Sequence, residues 1–358
     1  MSLIRILYIV HQANIGGLQT TLRTRMQVLR EQGIQSEVIF MKGGPGEYLF
    51  KGLPYSIAET GEIFKYKLLQ RKYDYLSFIY SLAYLQWVPP GYPAKLIYEL
   101  RGWNIKIEKW IESLEHEKQL HGIICIASYL EGLVRQRLKR EVPIFVDGNT
   151  VHRMFRPLRH PSDVWEDCPQ PRSGHHIIAY IGRLEQSKNW RQFLDICAKV
   201  AILEPIEIWI VCNRKDTREM QLLVDRVAEL GLKDNTRIIS EVPNGWMPAL
   251  YAAVRRSGGL LLSTSLREGL GNHILEPLAC DVPVVSTNVP GKNEIIRHRY
   301  NGMLYPLEAP GKAVRYVLEV LRSHELRRKL RRGGQRTIHT EFNKVRYVAR
   351  YKKILASL

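Results

Sequence analysis

Short apolar runs alternate with amphipathic segments of helical length along most of the chain. The early runs predict buried strands, because their residues are almost continuously apolar. These strands are Ile4–Val10, Ser36–Phe40, Tyr75–Ile79, Lys95–Tyr98, Ile123–Ile126 and Ile144–Val146. The predicted helices between them are Leu18–Glu31, Ile107–Leu120 and Ser128–Leu138, with Ser128 as an N-cap. Such alternation predicts a parallel sheet covered by helices.

The alternation stops over residues 156–175, where four prolines stand among Ser, Gly and charged residues, and this composition is typical of a linker. It then restarts. The later strands are predicted at Ile177–Ile181, Ile206–Val211, Thr236–Ile239 and Leu260–Leu262. We therefore predict an α/β protein with two doubly wound Rossmann-like domains. The predicted division is residues 1–155, a linker over 156–175, a second domain over 176–335, and a basic C-terminal helix over 336–358 that packs back on the first domain.

Composition fits a globular protein, since 358 residues with 45% hydrophobic and 25% charged side chains can bury two cores. No apolar run approaches the roughly 20 residues that cross a bilayer. The apolar N-terminal run lacks a basic leader and a small-residue cleavage site, and it is better interpreted as the first strand. Five scattered cysteines without Cys-x-x-Cys suggest neither zinc nor a disulfide framework. We expect reduced thiols in a cytoplasmic protein.

Positive charge is concentrated at the C-terminus. The net charge is +18, and residues 321–358 hold twelve Lys or Arg against two Glu. A surface of this kind attracts anionic lipid, nucleic acid or an acidic polymer. Two interpretations stay open: peripheral contact with the inner membrane face, and a solvated, helix-favouring arginine face.

The segment Ser263–Pro277 carries the clearest chemical signal. An apolar strand leads into a glycine-containing turn and then a helix, and Glu268 and Glu276 stand eight positions apart. The first N–H groups of a helix attract an anion, and glycines let a ligand approach the backbone. Carboxylates can bind hydroxyl groups. A site that binds a phosphate and also has carboxylates for hydroxyl groups fits a sugar nucleotide.

This segment resembles the glutamate-seven-glutamate motif of the retaining group 1 (family 4) glycosyltransferases, which have the GT-B fold. The resemblance continues through Leu278–Thr287, Gly291, Glu294–Ile296 and Asn301–Pro306. It implies two Rossmann-like domains that face each other across a cleft holding the active site. It also implies a nucleotide-diphosphate sugar as donor substrate, most simply a UDP-sugar, and no other cofactor.

The resemblance assigns roles to individual residues. Glu276 matches the residue that binds the donor ribose, and Glu268 matches the residue that contacts the transferred sugar. Arg183 and Lys188 match the cations that neutralise the donor diphosphate, a role that suits a leaving group that gains negative charge. No Asp-x-Asp occurs in the chain, so we expect no metal site. His273 is expected to pack rather than react.

The remaining donor-binding candidates lie in two glycine-containing loops. Gly16 and Gly17 resemble the N-terminal loop whose backbone approaches the donor phosphate. The candidates in the second loop are Gly269, Leu270, Gly271 and Asn272, whose amides or side chain would contact sugar or phosphate.

The chain departs from the family pattern on the acceptor side. The histidine that many relatives carry after the fifth strand is absent, which leaves Glu99, Arg101 and Trp103 as candidates. The usual Gly-x-Gly-Pro after the second strand of the second domain is replaced around 212–216, so the base recognised there stays open.

The function predicted from sequence is a retaining, metal-independent glycosyltransferase. Its acceptor would be a saccharide or a lipid-linked saccharide in cell-surface polysaccharide or glycoconjugate synthesis. One alternative is a degenerate relative that serves as a sugar-nucleotide-binding partner subunit, and another is a GT-B epimerase or phosphorylase. A nucleic-acid binder is disfavoured, because the sequence offers no aromatic platform or recognition-helix motif.

Overall fold

A computed structural model describes residues 3–102, 107–212 and 217–358. The chain forms two compact units. The first comprises Met1–Thr150 together with Phe342–Leu358, and the second is Val151–Glu341. Each unit is built on a parallel sheet with alternating helices, which confirms the predicted α/β class with two Rossmann-like domains.

The first unit contains a parallel sheet of seven strands within the described residues. The strands are β1 (Arg5–Val10), β2 (Gln35–Phe40), β3 (Tyr55–Ile57), β4 (Tyr75–Ile79), β5 (Lys95–Leu100), β6 (Leu120–Cys125) and β7 (Ile144–Val146). Their order is β3-β2-β1-β4-β5-β6-β7. The central strands are buried on both faces, which explains why their sequences are continuously apolar.

Four α-helices connect these strands in the part of the unit that the structure describes. They are α1 (Gly17–Arg30), α2 (Gly61–Leu69), α3 (Ile107–Ser113) and α4 (Ser128–Arg137). The predicted helix over 107–120 was too long, because α3 ends at Ser113 and Leu120 already begins β6. Beyond α3, the guanidinium of Arg140 donates to the carbonyls of Leu114 at 3.3 Å and Leu120 at 3.1 Å, so these acceptors are satisfied without a continued helix.

The predicted N-cap of α4 was wrong by one residue. Ala127 is the N-cap, without a side-chain cap, and Ser128 is the first helical residue. The amides of Leu130 and Glu131 donate to the carbonyl of Ala127, so the backbone closes the first turn there.

The second unit repeats the plan of the first. Its strands are β8 (His176–Ile181), β9 (Ile206–Cys212), β10 (Thr236–Ser240), β11 (Leu260–Ser263), β12 (Val284–Thr287) and β13 (Met303–Tyr305). All pair in parallel in the order β10-β9-β8-β11-β12-β13. The strand order reverses between β8 and β11, and ligands of open α/β sheets bind outside the carboxyl ends of strands at such a switch point.

The helices of the second unit continue beyond its sheet. They are α5 (Trp190–Ala201), α6 (Thr217–Glu229), α7 (Met247–Arg256), α8 (Asn272–Ala279), α9 (Pro310–Arg322) and α10 (His324–Glu341). The last helix, α11 (Lys344–Ser357), belongs to the first unit. Asn343 separates α10 from α11, and its side chain caps α11 by accepting from the amide of Arg346 at 2.9 Å.

The stretch 156–175, predicted as a linker, is counted within the second unit. Leu158 is buried, and its carbonyl accepts a hydrogen bond from Arg255 of α7. Phe155, just before the stretch, packs edge-on against Tyr251 of the same helix. These contacts hold the proline-containing segment against α7.

A buried ion network joins β5, α1 and α11 of the first unit. Arg25 donates to both carboxylate oxygens of Glu99 at 2.7 and 2.8 Å, and both side chains are almost fully buried. Arg101 pairs with Glu99 at 3.5 Å and donates to the carbonyl of Asp147 at 3.0 Å. The carboxylate of Asp147 accepts from Arg350 of α11 at 3.0 Å. Removing one charge from such a network leaves its partners buried without compensation.

Glu99→Gln is therefore expected to destabilise the first unit by about 3 kcal/mol, because it removes the closer of the two carboxylate partners of the buried Arg25. Arg71→Gln, which removes the exposed partner of Glu37 in a 3.4 Å pair, is the control and should change stability by less than about 1 kcal/mol. Urea unfolding, followed by native-state hydrogen exchange of the β5 amides, measures both. Equal effects of the two variants would contradict the role of the network.

Candidate active site

Two loops at the carboxyl ends of β8 and β11 are tied to each other. The amide of Leu266 donates to the carbonyl of Ser187 at 2.8 Å. The hydroxyl of Thr264 donates to the carbonyls of Lys188 at 3.1 Å and Asn189 at 2.9 Å. These contacts bring the loop that carries Lys188 against the turn that carries Glu268.

Lys188 and Glu268 form a short, largely buried ion pair. The distance from Nζ to Oε1 is 2.5 Å, and the side chains are 18% and 10% exposed. Burial by itself would raise the pKa of Glu268, but its electrostatic interactions with His273, Lys188 and Lys292 outweigh burial and lower that pKa to about 2. Glu268 is thus a carboxylate at neutral pH.

His273 completes this cluster from α8. Its Nε2 lies 3.0 Å from the hydroxyl of Ser263 and 3.6 Å from Oε1 of Glu268. Burial lowers the pKa of His273 to about 3, although Glu268 acts in the opposite direction. The imidazole is therefore neutral and serves as a hydrogen-bonding group against the turn.

Glu276 has the opposite electrostatic character. It lies in the middle of α8, and its Oε2 accepts a hydrogen bond from the hydroxyl of Tyr251 at 3.0 Å. Burial raises the pKa of Glu276 to about 7, while the bond from Tyr251 lowers it. The two carboxylates of the motif are thus held by different partners and differ in acidity.

The glycines of the turn have distinct structural roles. Gly271 precedes α8, and its carbonyl accepts from the amides of Ile274 at 2.9 Å and Leu275 at 3.3 Å. Gly291 has φ +83°, and a Cβ placed on it would lie 2.1 Å from the carbonyl oxygen of Gly269. Only glycine fits at 291, because both the backbone angle and the space exclude a side chain.

The other two candidates of this turn lie next to these glycines. Leu270 is 7% exposed and packs inward, and Asn272 is the first residue of α8. The partial positive charge of a helix N-terminus is therefore directed at this turn.

Arg183 lies apart from the buried pair. Its side chain is 65% exposed and pairs with Glu185 at 2.6 Å. Its backbone is fixed, because its carbonyl accepts from the hydroxyl of Tyr180 at 2.8 Å. Of the three predicted catalytic residues, the structure brings Lys188 and Glu268 into contact and leaves Arg183 at the surface of the same loop.

Lys292 is a residue that the sequence analysis missed. Its side chain is fully buried, and Nζ donates to Oγ1 of Thr287 at 2.7 Å and to the carbonyl of Ser265 at 3.3 Å. Burial lowers the pKa of Lys292 to about 7, although Glu268 raises it. The available signal was a lysine directly after Gly291, inside the continuation of the motif.

The first-unit candidates are placed as follows. Gly16 is the N-cap of α1 and Gly17 its first residue, and the hydroxyl of Thr21 donates to the carbonyl of Gly17 at 2.7 Å. Glu99 and Arg101 have their side chains inside the buried ion network, at 0% and 6% exposure. Trp103 lies outside the described residues, as does the loop 213–216.

Two features are absent from the residues that the structure describes. No group of three or more His, Cys, Asp and Glu side chains there is arranged to hold a metal ion. No helix there has the length and apolar character needed to pass through a bilayer.

Similarity to solved structures defines the fold. The structure superposes on Anabaena HepE, solved in complex with UDP and glucose, with a TM-score of 0.83 at 17% identity, covering 99% of this chain and all of that one. TarM superposes with a TM-score of 0.80 at 11% identity, covering 99% of both chains. Identities this low report on the fold alone. The fold of this chain is the GT-B fold.

The sequence comparisons match part of the chain to one family. Residues 165–337 match the family described as Glycosyl transferases group 1, and this match supports a group 1 glycosyltransferase. Glycosyltransferase 1 domain-containing protein 1 of Xenopus tropicalis is 27% identical over 171 residues, which is 47% of each chain. The lipopolysaccharide core biosynthesis glycosyltransferase LpsE of Rhizobium meliloti is 24% identical over 219 residues, 61% of this chain and 59% of LpsE. The chain spans about half of the length of the curated relatives it matches.

The acidity of Glu276 gives a pH prediction. Between pH 4.5, the ordinary carboxyl value, and about 7, folded Glu276 keeps a proton that the unfolded chain releases. Stability of the second unit should therefore fall as pH rises through that window, and Glu276→Gln should remove this contribution. Carbon-13 NMR of the carboxyl should give a midpoint near 7, and a higher midpoint in Tyr251→Phe. A midpoint near 4.5 in both proteins would contradict the assignment.

Proposed function

We propose that the protein is a retaining glycosyltransferase that moves a sugar from a nucleotide-diphosphate donor, a UDP-sugar, to a saccharide or lipid-linked acceptor. The observation that carries this proposal is the buried pair of Lys188 and Glu268, held at the switch point of the second sheet beside a glycine turn and a helix N-terminus. The family match supports the transferase class. UDP and glucose bound to HepE support the choice of donor.

Each side chain has a proposed task. Arg183 and Lys188 neutralise the charge that grows on the departing diphosphate, and α8 adds the partial positive charge of its N-terminus. Glu276 accepts hydrogen bonds from the ribose hydroxyls. Glu268 contacts the transferred sugar. It balances the positive charge that develops on this sugar as the sugar–phosphate bond breaks. We propose no metal ion in this step, since the chain holds no Asp-x-Asp.

The acceptor hydroxyl would attack the face from which the phosphate leaves. The glycosidic bond forms as the sugar–phosphate bond breaks, and an oxygen of the departing phosphate takes the proton of the acceptor hydroxyl. The step therefore needs no separate base. Binding and orientation then supply much of the rate enhancement.

The cellular setting is also a proposal: synthesis of a cell-surface polysaccharide or glycoconjugate in the cytoplasm, with peripheral contact at an anionic membrane through the C-terminal cations. Part of this positive charge is already compensated. Arg331 pairs with Asp281, Lys344 with Glu31, and Arg350 with Asp147. The remaining charge is what an anionic surface would contact.

A second candidate function is a degenerate relative that binds a sugar nucleotide as a partner subunit. The placement of Glu99 and Arg101 favours it, because side chains engaged in a buried ion network are poorly disposed to contact an acceptor. This candidate predicts donor binding without transfer.

Thermal-shift screening against UDP, GDP, ADP and dTDP sugars should reveal the donor, because a ligand of the native state raises the melting temperature. A UDP-sugar is expected to give the largest shift. Glu276→Ala should abolish that shift, whereas Glu229→Ala, at an exposed position of α6, should keep it. An unchanged shift in Glu276→Ala would remove this residue from the site.

Transfer assays with the donor found in this way separate the two candidates. Lys188→Ala should lower kcat by about 100-fold or more, because it removes a preorganised cation at the leaving group. Arg191→Ala, at a partly exposed ion pair on α5, is the matched control and should leave kcat unchanged. Proton NMR of the product should show the anomeric configuration of the donor retained. Inversion would refute the retaining mechanism, and tight donor binding without transfer to any acceptor would favour the degenerate subunit.

A further inference from the structure

Lys292 lies directly beneath the turn that carries Glu268. Its ammonium group donates to the carbonyl of Ser265 on that turn and to the hydroxyl of Thr287 at the end of β12. The same hydroxyl donates to the carbonyl of Ser265 at 2.7 Å. The preceding residue, Gly291, packs its backbone against the carbonyl of Gly269. Two successive residues therefore support both ends of the stretch 265–269.

The surroundings of Lys292 are charged. Glu268 and Lys188 are near enough to act on its charge, and the neutral imidazole of His273 lies in the same cluster. A fully buried ammonium group is strongly disfavoured unless it is paired and hydrogen-bonded. An uncharged side chain could fill the same space, so the specific contribution of the lysine is its positive charge and its hydrogen bonds.

We propose that Lys292 is a positioning residue of the donor site: its buried ammonium group holds the 265–269 turn from beneath and supplies a second positive charge to the carboxylate of Glu268. This inference rests on the proposed function, since it assumes that the turn receives an anionic diphosphate. The positive charge on Lys292 strengthens binding of the diphosphate electrostatically, without direct contact between Lys292 and the ligand.

The proposal has a consequence for proton binding. Burial lowers the pKa of Lys292 to about 7. Above that pH, the side chain of Lys292 is therefore mostly uncharged in the ligand-free protein. A bound diphosphate favours the charged form, and binding should then take up a proton. The change in proton binding at Glu276 has the opposite sign. Ribose hydroxyl groups favour the ionised form of Glu276, so ligand binding below pH 7 should release a proton from this residue. Glu268 and His273 do not titrate in this range.

The first test needs no ligand. Carbon-13 NMR of ε-labelled lysines in the full chain, with the Lys292 signal identified by its loss in Lys292→Met, should show a midpoint about three units below that of an ordinary lysine. Amide signals over 265–269 should shift with the same midpoint. A midpoint near that of free lysine, or amides that do not follow the titration, would overturn the proposal.

The second test uses UDP-glucose, whose diphosphate is esterified at both ends and exchanges no proton near neutrality. Calorimetry at about pH 8 in buffers of different ionisation heat should show proton uptake, with affinity falling up to about tenfold per pH unit above 7. Lys292→Met should bind without uptake and without this pH dependence. Lys292→Arg serves the same purpose if the methionine variant does not fold, because arginine keeps its charge throughout this range.

Thr287→Val is the structural control. It removes two hydrogen bonds of the support, the one that Lys292 donates to the hydroxyl and the one that the hydroxyl donates to the carbonyl of Ser265. The ammonium group of Lys292 stays in place, so proton uptake should persist even if affinity drops. Loss of uptake in Thr287→Val together with unchanged uptake in the Lys292 variants would overturn the proposal. If UDP-glucose fails to bind the wild-type protein at any pH, the proposed donor is wrong, and the ligand-free titration alone decides the role of Lys292.

Discussion

The short ion pair between Lys188 and Glu268 is the interaction on which the second unit's site depends. Either charge alone in so little solvent would be unfavourable by several kcal/mol, whereas the pair compensates itself. The two loops that carry the pair, one after β8 and one after β11, are joined by a backbone hydrogen bond from Leu266 to Ser187 and by the hydroxyl of Thr264, which donates to the carbonyl of Lys188. The fold thus fixes a cation and a carboxylate at a defined point before any ligand arrives, which is the condition for electrostatic preorganisation.

The environments of Glu268 and Glu276 give these two otherwise identical side chains different pKa values. Nearby cations help to keep Glu268 ionised, while burial raises the pKa of Glu276, whose partner is the hydroxyl of Tyr251. Opposite shifts of two nearby acids commonly mark different tasks in an active site. Here the ionised group suits a developing positive charge on a sugar, and the weaker acid suits hydrogen bonds with hydroxyls.

Much of the fold could be predicted from sequence, because strands buried on both faces must be continuously apolar and helices between them must be amphipathic. The motif around Glu268 was equally visible, since a glycine turn before a helix is local. Properties set by distant partners were not visible. A distant residue, Arg140, satisfies a carbonyl just beyond α3, and the burial of Glu99 depends on Arg25. Lys292 was missed for the same reason: only tertiary structure reveals that its ammonium group lies beneath the turn.

The most direct measurement of the central claim is a crystal structure of the protein soaked with a saturating UDP-sugar. The account predicts diphosphate density at the turn beside Lys188 and the N-terminus of α8, with the ribose on Glu276. A nucleotide sugar bound elsewhere on the protein, with only water at the turn, would contradict it.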